Sequence, residues 1–392
     1  MSSRKTTNNY TIHNKVQIVR GGADYFRLIE EIAGKATWSL HLQTYIFDED
    51  ETGNRIAKAL ISAAMRGVLV YVLLDGFASQ NLSRPFIHRL KEAGIHFSFF
   101  EPLLKSRHFY MGRRLHHKVV VADAFYSMVA GINISNRYND IGSATAWLDW
   151  AAYAEGDVAK QLNDVCVRTW NGSVFRKRCR ATANPAHELL QTDNCLVQVR
   201  INDWVYKKTQ ITKSYRELFR TAKREVTLMT SYFWPPHKLL MQMARASSRG
   251  VKIKLILTAR ADVPFAKYAE RYLYKWLFRH KIEVYEYQDN ILHGKVAVFD
   301  NELITAGSYN VNNISAFASV ELNLNINDAG IAREVNDKFQ SIMDNNCIHI
   351  DTASFWTSNS LLKKFQFYCS YRIIHLIFYL FTFYFIQRRE GD

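Results

Sequence analysis

Two kinds of hydrophobic pattern alternate along most of the chain. Val16–Val19 is a short apolar run of strand type, and Asp24–Ala36 then carries Phe26, Ile29, Ile32 and Ala33 at helical spacing. The same alternation predicts a strand over Ser39–Phe47 ending in the acidic turn DEDETG, a helix over Arg55–Arg66 and a strongly apolar strand over Val68–Asp75. A helix over Ile87–Ala93 and a strand over Ile95–Phe100 follow, then a basic loop, Leu104–Leu115. The order then recurs. Strands are expected over Leu196–Ile201, Glu225–Phe233, Val251–Leu257 and Lys281–Tyr287, and helices over Lys208–Ala222, Leu239–Arg249 and Pro264–Arg279; Pro235 and Pro236 stop the second strand. Two copies of one strand–helix series argue for an internally repeated α/β architecture.

Each series runs into the same motif. HHKVVVAD, His116–Asp123, and HGKVAVFD, His293–Asp300, both read His-x-Lys-x4-Asp, and each is followed by a glycine and an asparagine: Gly131 and Asn133, then Gly307 and Asn310. The His, Lys, Asp and Asn of the second copy each stand 177 positions after those of the first. The apolar residues after each lysine read as a buried strand, and residues two apart on a strand share a face. His116 therefore projects with Lys118, and His293 with Lys295. Asp123 and Asp300 lie an odd step beyond their lysines, so spacing alone reads them as turn or supporting residues.

Composition narrows the partners. The 392 residues suffice for two domains, each able to bury a core. The expected division is a loose segment 1–15, repeat domains 16–180 and 181–350, and a tail 351–392, with the basic segment Arg176–Arg180 and Pro185 in the linker region. A net charge of +15 favours an anionic partner, either nucleic acid or an anionic membrane. The five cysteines are odd in number and show no metal-site spacing, so reduced thiols in a cytosolic setting and no metal are expected. The N-terminal residues contain no apolar stretch of signal-peptide type.

With the doubled motif in hand, the chain resembles the phospholipase D superfamily, and within it the bacterial cardiolipin synthases. YIFDEDETG in the first half and SYFWP, with RGVKIKLIL shortly after, carry the likeness further, over about Val16 to Phe339. AGIN at Ala130–Asn133 departs from the family's usual double glycine. The resemblance implies two α/β/α sandwich domains with mixed sheets, related by a pseudo-twofold axis and sharing one active site. It implies a catalytic set of His116, Lys118, Asp123, His293, Lys295 and Asp300, with Asn133 and Asn310 holding phosphoryl oxygens. Following it, His116 is the nucleophile and His293 the general acid, although the sequence itself does not break the symmetry. Acidic residues downstream of each motif would orient the opposite imidazole: Glu321 for His116 and Asp149 for His293.

The chemistry suits those residue types. Phosphodiester exchange needs a nucleophile, charge stabilisation and a proton for the departing alcohol. Two His and two Lys supply all three without a cofactor, and a phosphohistidine lets a second alcohol replace water as acceptor. The implied reaction joins two phosphatidylglycerols into cardiolipin at the cytoplasmic face of the inner membrane. The alternatives are a phospholipase D or another phosphatidyltransferase, then a nuclease of the same superfamily.

Two apolar stretches weigh against nucleic acid. Phe265, Tyr268, Tyr272 and Trp276 form a stripe along Pro264–Arg279, expected either to dock on the sheet or to sit among headgroups. Ile373–Ile386, flanked by Lys363, Lys364, Arg372, Arg388 and Arg389, is short for a membrane span and reads as an interfacial or re-entrant anchor, with docking of the tail into the body as the alternative. The loop Lys105–Arg114 is either a lipid-entry lip or a plain solvated loop. His108, His117, His237 and His280 are expected to be solvent-exposed.

Overall fold

Two sheets with one strand order carry the molecule. The computed structural model describes residues 10–102, 113–172, 176–179, 193–261, 263–353, 355 and 360–390, with side chains in the last helix to Leu376. The Lys105–Arg114 lip, apart from Arg113 and Arg114, falls outside these residues, as does His108.

The first half contributes β1 (Asn14–Arg20), α1 (Ala23–Lys35), β2 (Ser39–Thr44), α2 (Glu51–Met65), β3 (Leu69–Asp75), α3 (Arg84–Glu92) and β4 (His96–Phe100). After the short β5 (Arg114–Leu115) come β6 (Lys118–Ala122), β7 (Tyr126–Ala130), β8 (Trp150–Gly156) and α4 (Asp157–Asn171). The second half contributes β9 (Leu196–Asp203), β10 (Lys208–Thr209), α5 (Gln210–Thr221), β11 (Glu225–Thr230), α6 (His237–Ser248), β12 (Lys252–Thr258), α7 (Pro264–Tyr272), α8 (Tyr274–Arg279) and β13 (Glu283–Tyr287). It continues with β14 (Lys295–Phe299), β15 (Leu303–Gly307), α9 (Asn313–Phe317), β16 (Ser319–Asn327), α10 (Ala329–Asn346), β17 (Cys347–His349) and a last helix, α11 (Leu361–Glu390).

The first sheet runs β1-β8-β7-β6-β2-β3-β4, and the second runs β9-β16-β15-β14-β11-β12-β13, flanked by β10 and β17. In both, the two crossover pairs β2–β3–β4 and β11–β12–β13 are parallel and the remaining core pairs antiparallel. One apolar cluster lies under α1–α3 on the outer face of the first sheet, and another under α5–α8 and α11 on the outer face of the second. A third cluster joins the inner faces. There Val119, Val121 and Val129 of the first sheet and Val296, Val298 and Ile304 of the second pack with Val158 and Leu162 of α4 and Val335 and Phe339 of α10. The buried seam between the halves is thus apolar, and the motifs stand at one end of it.

Several boundaries differ from the pattern reading. α2 begins at Glu51 because the Asp50 side chain accepts the Gly53 N–H and caps it, which draws the acidic turn into the helix. Gly53 is needed there, since a Cβ would strike the Asp48 carbonyl. The stretch Pro264–Arg279 is two helices rather than one. Its Lys267 is buried with Glu270 and Glu286, 2.6 and 2.9 Å away, and Tyr274 donates to Glu286. Beyond each motif lie a hairpin and a long strand, with α4 or α10 filling the seam.

Part of the aromatic stripe packs on the last helix rather than on the sheet. Tyr268 meets Phe367 at 5.8 Å, and Tyr272 meets Tyr371 at 4.5 Å, both on α11. The first half of the tail helix is therefore part of the folded body, with Phe367 and Ile374 buried. Among the described residues no helix is long and apolar enough to cross a membrane.

Candidate active site

Each motif histidine is gripped by the other half of the molecule. The His116 amide donates to the Val320 carbonyl at 3.0 Å, where β5 pairs with β16, and its Nδ1 lies 2.9 Å from the Glu321 carboxylate. The His293 amide donates to the Leu148 carbonyl at 2.7 Å, and its Nδ1 lies 2.6 Å from Asp149 Oδ2. One short segment of the opposite half thus fixes both the backbone and the ring. Sharing a backbone contact and an acidic neighbour leaves the imidazole little freedom, and donation from Nδ1 turns Nε2 into the free lone pair.

The acids are themselves fully buried. Glu321 accepts hydroxyl hydrogen bonds from Ser308 and, at 2.9 Å, from Ser319, and its pKa is lowered by the His116 charge and hydrogen bond against the cost of burial. Gly131 occupies the place in the first half that Ser308 holds in the second. A Cβ at Gly131 would lie 2.5 Å from Asp149 Oδ1, so this glycine makes room for the shorter acid.

Lys118 and Lys295 are buried at the starts of β6 and β14. Lys118 Nζ donates to the His116 carbonyl at 2.6 Å, and Lys295 Nζ lies 2.8 Å from His293 Nδ1 and 3.5 Å from Asp149. The charge of Lys295 reaches His116 and Lys118, and that of Lys118 reaches His293, so the two motifs share one electrostatic environment. Burial, with the like charge of Lys295, brings Lys118 down to about 7. Burial lowers both imidazoles, His293 to about 4 with Lys295 adding to the effect. Two lysines and two acids thus surround two rings whose charged form burial disfavours. An incoming phosphodiester adds one negative charge and favours protonation of one ring.

Asn133 and Asn310 are buried beside the motifs. Asn133 accepts from the Ile46 amide and donates to Tyr138 Oη at 2.9 Å; Asn310 accepts from Ser231 Oγ at 2.7 Å. Three aromatic contacts were not foreseen. Tyr45 meets the His116 ring edge-on at 5.0 Å, and Tyr138 and Trp147 meet His293 at 5.2 and 6.0 Å. Tyr45 lies within the YIFDEDETG signature, whereas Tyr138 ends a one-turn 3-10 helix and Trp147 sits in a loop, neither with a periodic signal.

Asp123 and Asp300 do not join the site. Both follow their strands in the left-handed region, with φ 54°, five residues and roughly 17 Å of strand beyond the lysines. Asp123 accepts from the amides of Thr37, Trp38 and Ser39 at 2.8–2.9 Å and from the Thr37 hydroxyl; Asp300 accepts from those of Lys223, Arg224 and Glu225. Each carboxylate ties down the loop entering β2 or β11, the strand that pairs with its own. Both thus hold the supporting turn position that their spacing predicts, away from the imidazoles and lysines. Asp123→Ala is expected to cost about 2–4 kcal/mol of stability through orphaned amides. Activity per folded molecule should change less than tenfold, which denaturant titration and a lipid assay on the same sample would check.

His117 is buried rather than exposed, with Nε2 2.9 Å from Gln43 Oε1. Burial holds His117 at about 3 and His41 at about 4, like His293. The unfolded chain binds these protons near pH 6.5 and the folded protein does not. The stabilisation is therefore complete above pH 6.5 and is lost as pH falls toward 4, at up to ~1.4 kcal/mol per pH unit for each ring. Urea midpoints should fall between pH 6.5 and 4, and His117→Gln should make that fall shallower. Among the described residues no three His, Cys, Asp or Glu side chains converge as metal ligands.

A family model described as the cardiolipin synthase, phospholipase D-like domain matches residues 28–166 and 215–343, one stretch per sheet. The chain belongs to this family. Cardiolipin synthase B of Salmonella typhi is 32% identical over 364 residues, covering 90% of this chain and 87% of that protein. The major cardiolipin synthase ClsA of Bacillus subtilis is 28% identical over 334 residues, covering 84% and 69%. Among solved structures, phosphatidylserine synthase of Haemophilus influenzae Rd KW20 superposes with a TM-score of 0.68 at 15% identity, covering 86% of this chain and 87% of that one, which speaks for the fold alone. Family membership makes the protein a phosphatidyl-transferring enzyme.

Proposed function

We propose that the protein joins two phosphatidylglycerol molecules into cardiolipin and releases glycerol, working on a membrane surface at the cytoplasmic face of the inner membrane. The observation that carries this reading is the crossed grip on the two imidazoles, each held by the acid of the opposite half. His116 Nε2 attacks the phosphorus of the first lipid. The bond to the glycerol oxygen breaks, and protonated His293 gives that oxygen its proton. The phosphatidyl group now rests on His116. The primary hydroxyl of a second lipid attacks it, the N–P bond breaks, and His293 takes up the hydroxyl proton. Lys118, Lys295, Asn133 and Asn310 steady the phosphoryl oxygens through both steps.

The exposed face of α11 supports the membrane setting. Leu361, Leu362, Phe365, Ile373 and Leu376 are 46–83% exposed, with Lys363 and Lys364 among them, while Phe367 and Ile374 face the body. Purified protein incubated with phosphatidylglycerol vesicles should yield cardiolipin and glycerol in equal amounts. Phosphatidic acid as the sole product would replace this reading with a hydrolase, and no lipid turnover would remove it.

A further inference from the structure

Cardiolipin formation sets a recognition problem that the paired motifs do not solve. The accepting lipid must bring its hydroxyl to the phosphohistidine while carrying a phosphodiester of its own. That second anion needs a cation outside the set already committed to the reacting phosphorus.

We propose that Arg137 binds the phosphodiester of the accepting lipid, which builds on the cardiolipin reading above. Its guanidinium carbon lies 5.9 Å from the Tyr138 ring centre and 5.5 Å from that of Trp147. Those rings are the two that meet His293. Taking 5.9 Å and 5.2 Å end to end, the guanidinium stands no more than about 11 Å from the His293 ring. In cardiolipin six bonds separate the phosphorus atoms, roughly 7 Å when extended. A phosphorus in reach of the imidazoles therefore places the second one in reach of Arg137. The location also fits the proton traffic, because the accepting hydroxyl gives its proton to His293, the ring on the Arg137 side.

The arginine is held without being used up. Tyr138 and Trp147 flank its guanidinium, Nε donates to Ser135 Oγ at 3.3 Å and Nη2 to Asp48 Oδ2, so exchanging the carboxylate for a phosphate lets the fork take up phosphate oxygens. Its ionic partner is Asp48, at 3.2 Å, with side-chain exposures of 43% and 37%. A pair this exposed is weakly held, so a lipid phosphate can displace the carboxylate. A rim salt bridge alone would be indifferent to the charge of the acceptor.

The test compares two acceptors on one donor. Phosphatidylglycerol vesicles containing ethanol offer the enzyme an anionic acceptor, a second phosphatidylglycerol, and a neutral one that gives phosphatidylethanol. In Arg137→Gln the ratio of cardiolipin to phosphatidylethanol should fall about tenfold or more. Asp48→Asn, which removes the competing carboxylate, should raise it. An unchanged ratio in Arg137→Gln, with both products kept or both lost, would overturn the proposal. Wild-type protein that forms phosphatidylethanol but no cardiolipin would instead overturn the parent reading, and that result comes from the unsubstituted enzyme.

Discussion

Replacing either motif histidine by glutamine is expected to lower cardiolipin formation by ~10⁴-fold or more, with the fold retained. Such a loss is about 5.5 kcal/mol of transition-state stabilisation. His293 is buried, His116 is part-buried, and both feel the field of Lys118 and Lys295, so neither can stand in for the other. The two variants differ when the donor changes. A phosphatidyl ester with a nitrophenol leaving group needs no proton to depart. His293→Gln should then release one equivalent of nitrophenol in a burst, because His116 still attacks. His116→Gln should give no burst. A burst in His116→Gln and none in His293→Gln would exchange the two roles.

Glu321→Gln should lower turnover by ~10²–10⁴-fold while the lipid KM stays within about threefold, since the carboxylate touches the imidazole and not the substrate. The amide can still accept from Nδ1–H, but it no longer balances charge on the ring. It must also reorient one of the two serine hydroxyls that Glu321 accepts from. The carboxylate raises the His116 pKa against the effect of burial. Its removal therefore moves the acid limb of the pH–rate profile to lower pH. A merely structural role would leave that limb in place. Asp149→Asn likewise lowers the His293 pKa, and because His293 acts protonated this moves the alkaline limb to lower pH.

The doubled topology was legible because the motif fixes strand register. β6 and β14 begin at Lys118 and Lys295, and the positions that follow alternate between the outer clusters and the inner seam. The placing of Glu321 and Asp149 opposite the imidazoles needed the family likeness, because neither lies near its histidine in sequence. Other features depend on contacts that no local pattern announces. His117 looks like a surface residue in a basic stretch, yet Gln43 on β2 meets its ring. Lys267 reads as a solvent-facing charge on an amphipathic helix until Glu286 arrives from β13 to help bury it. The tail reads as an anchor from composition, but its first turns find an aromatic surface on α7 that period alone assigned elsewhere. Tyr138 and Trp147 were silent because neither a single turn nor a loop carries periodicity; only the folded chain brings them to His293.

The central claim is a covalent phosphatidyl group on His116 within one site made by both halves. Enzyme mixed briefly with radiolabelled phosphatidylglycerol, quenched in alkaline denaturant and digested, would test it by peptide mass spectrometry. The account predicts the phosphatidyl mass on the peptide carrying His116, increased in His293→Gln when the nitrophenyl donor is used and absent in His116→Gln. Label on the His293 peptide, or cardiolipin formed at full rate by His116→Gln, would contradict it.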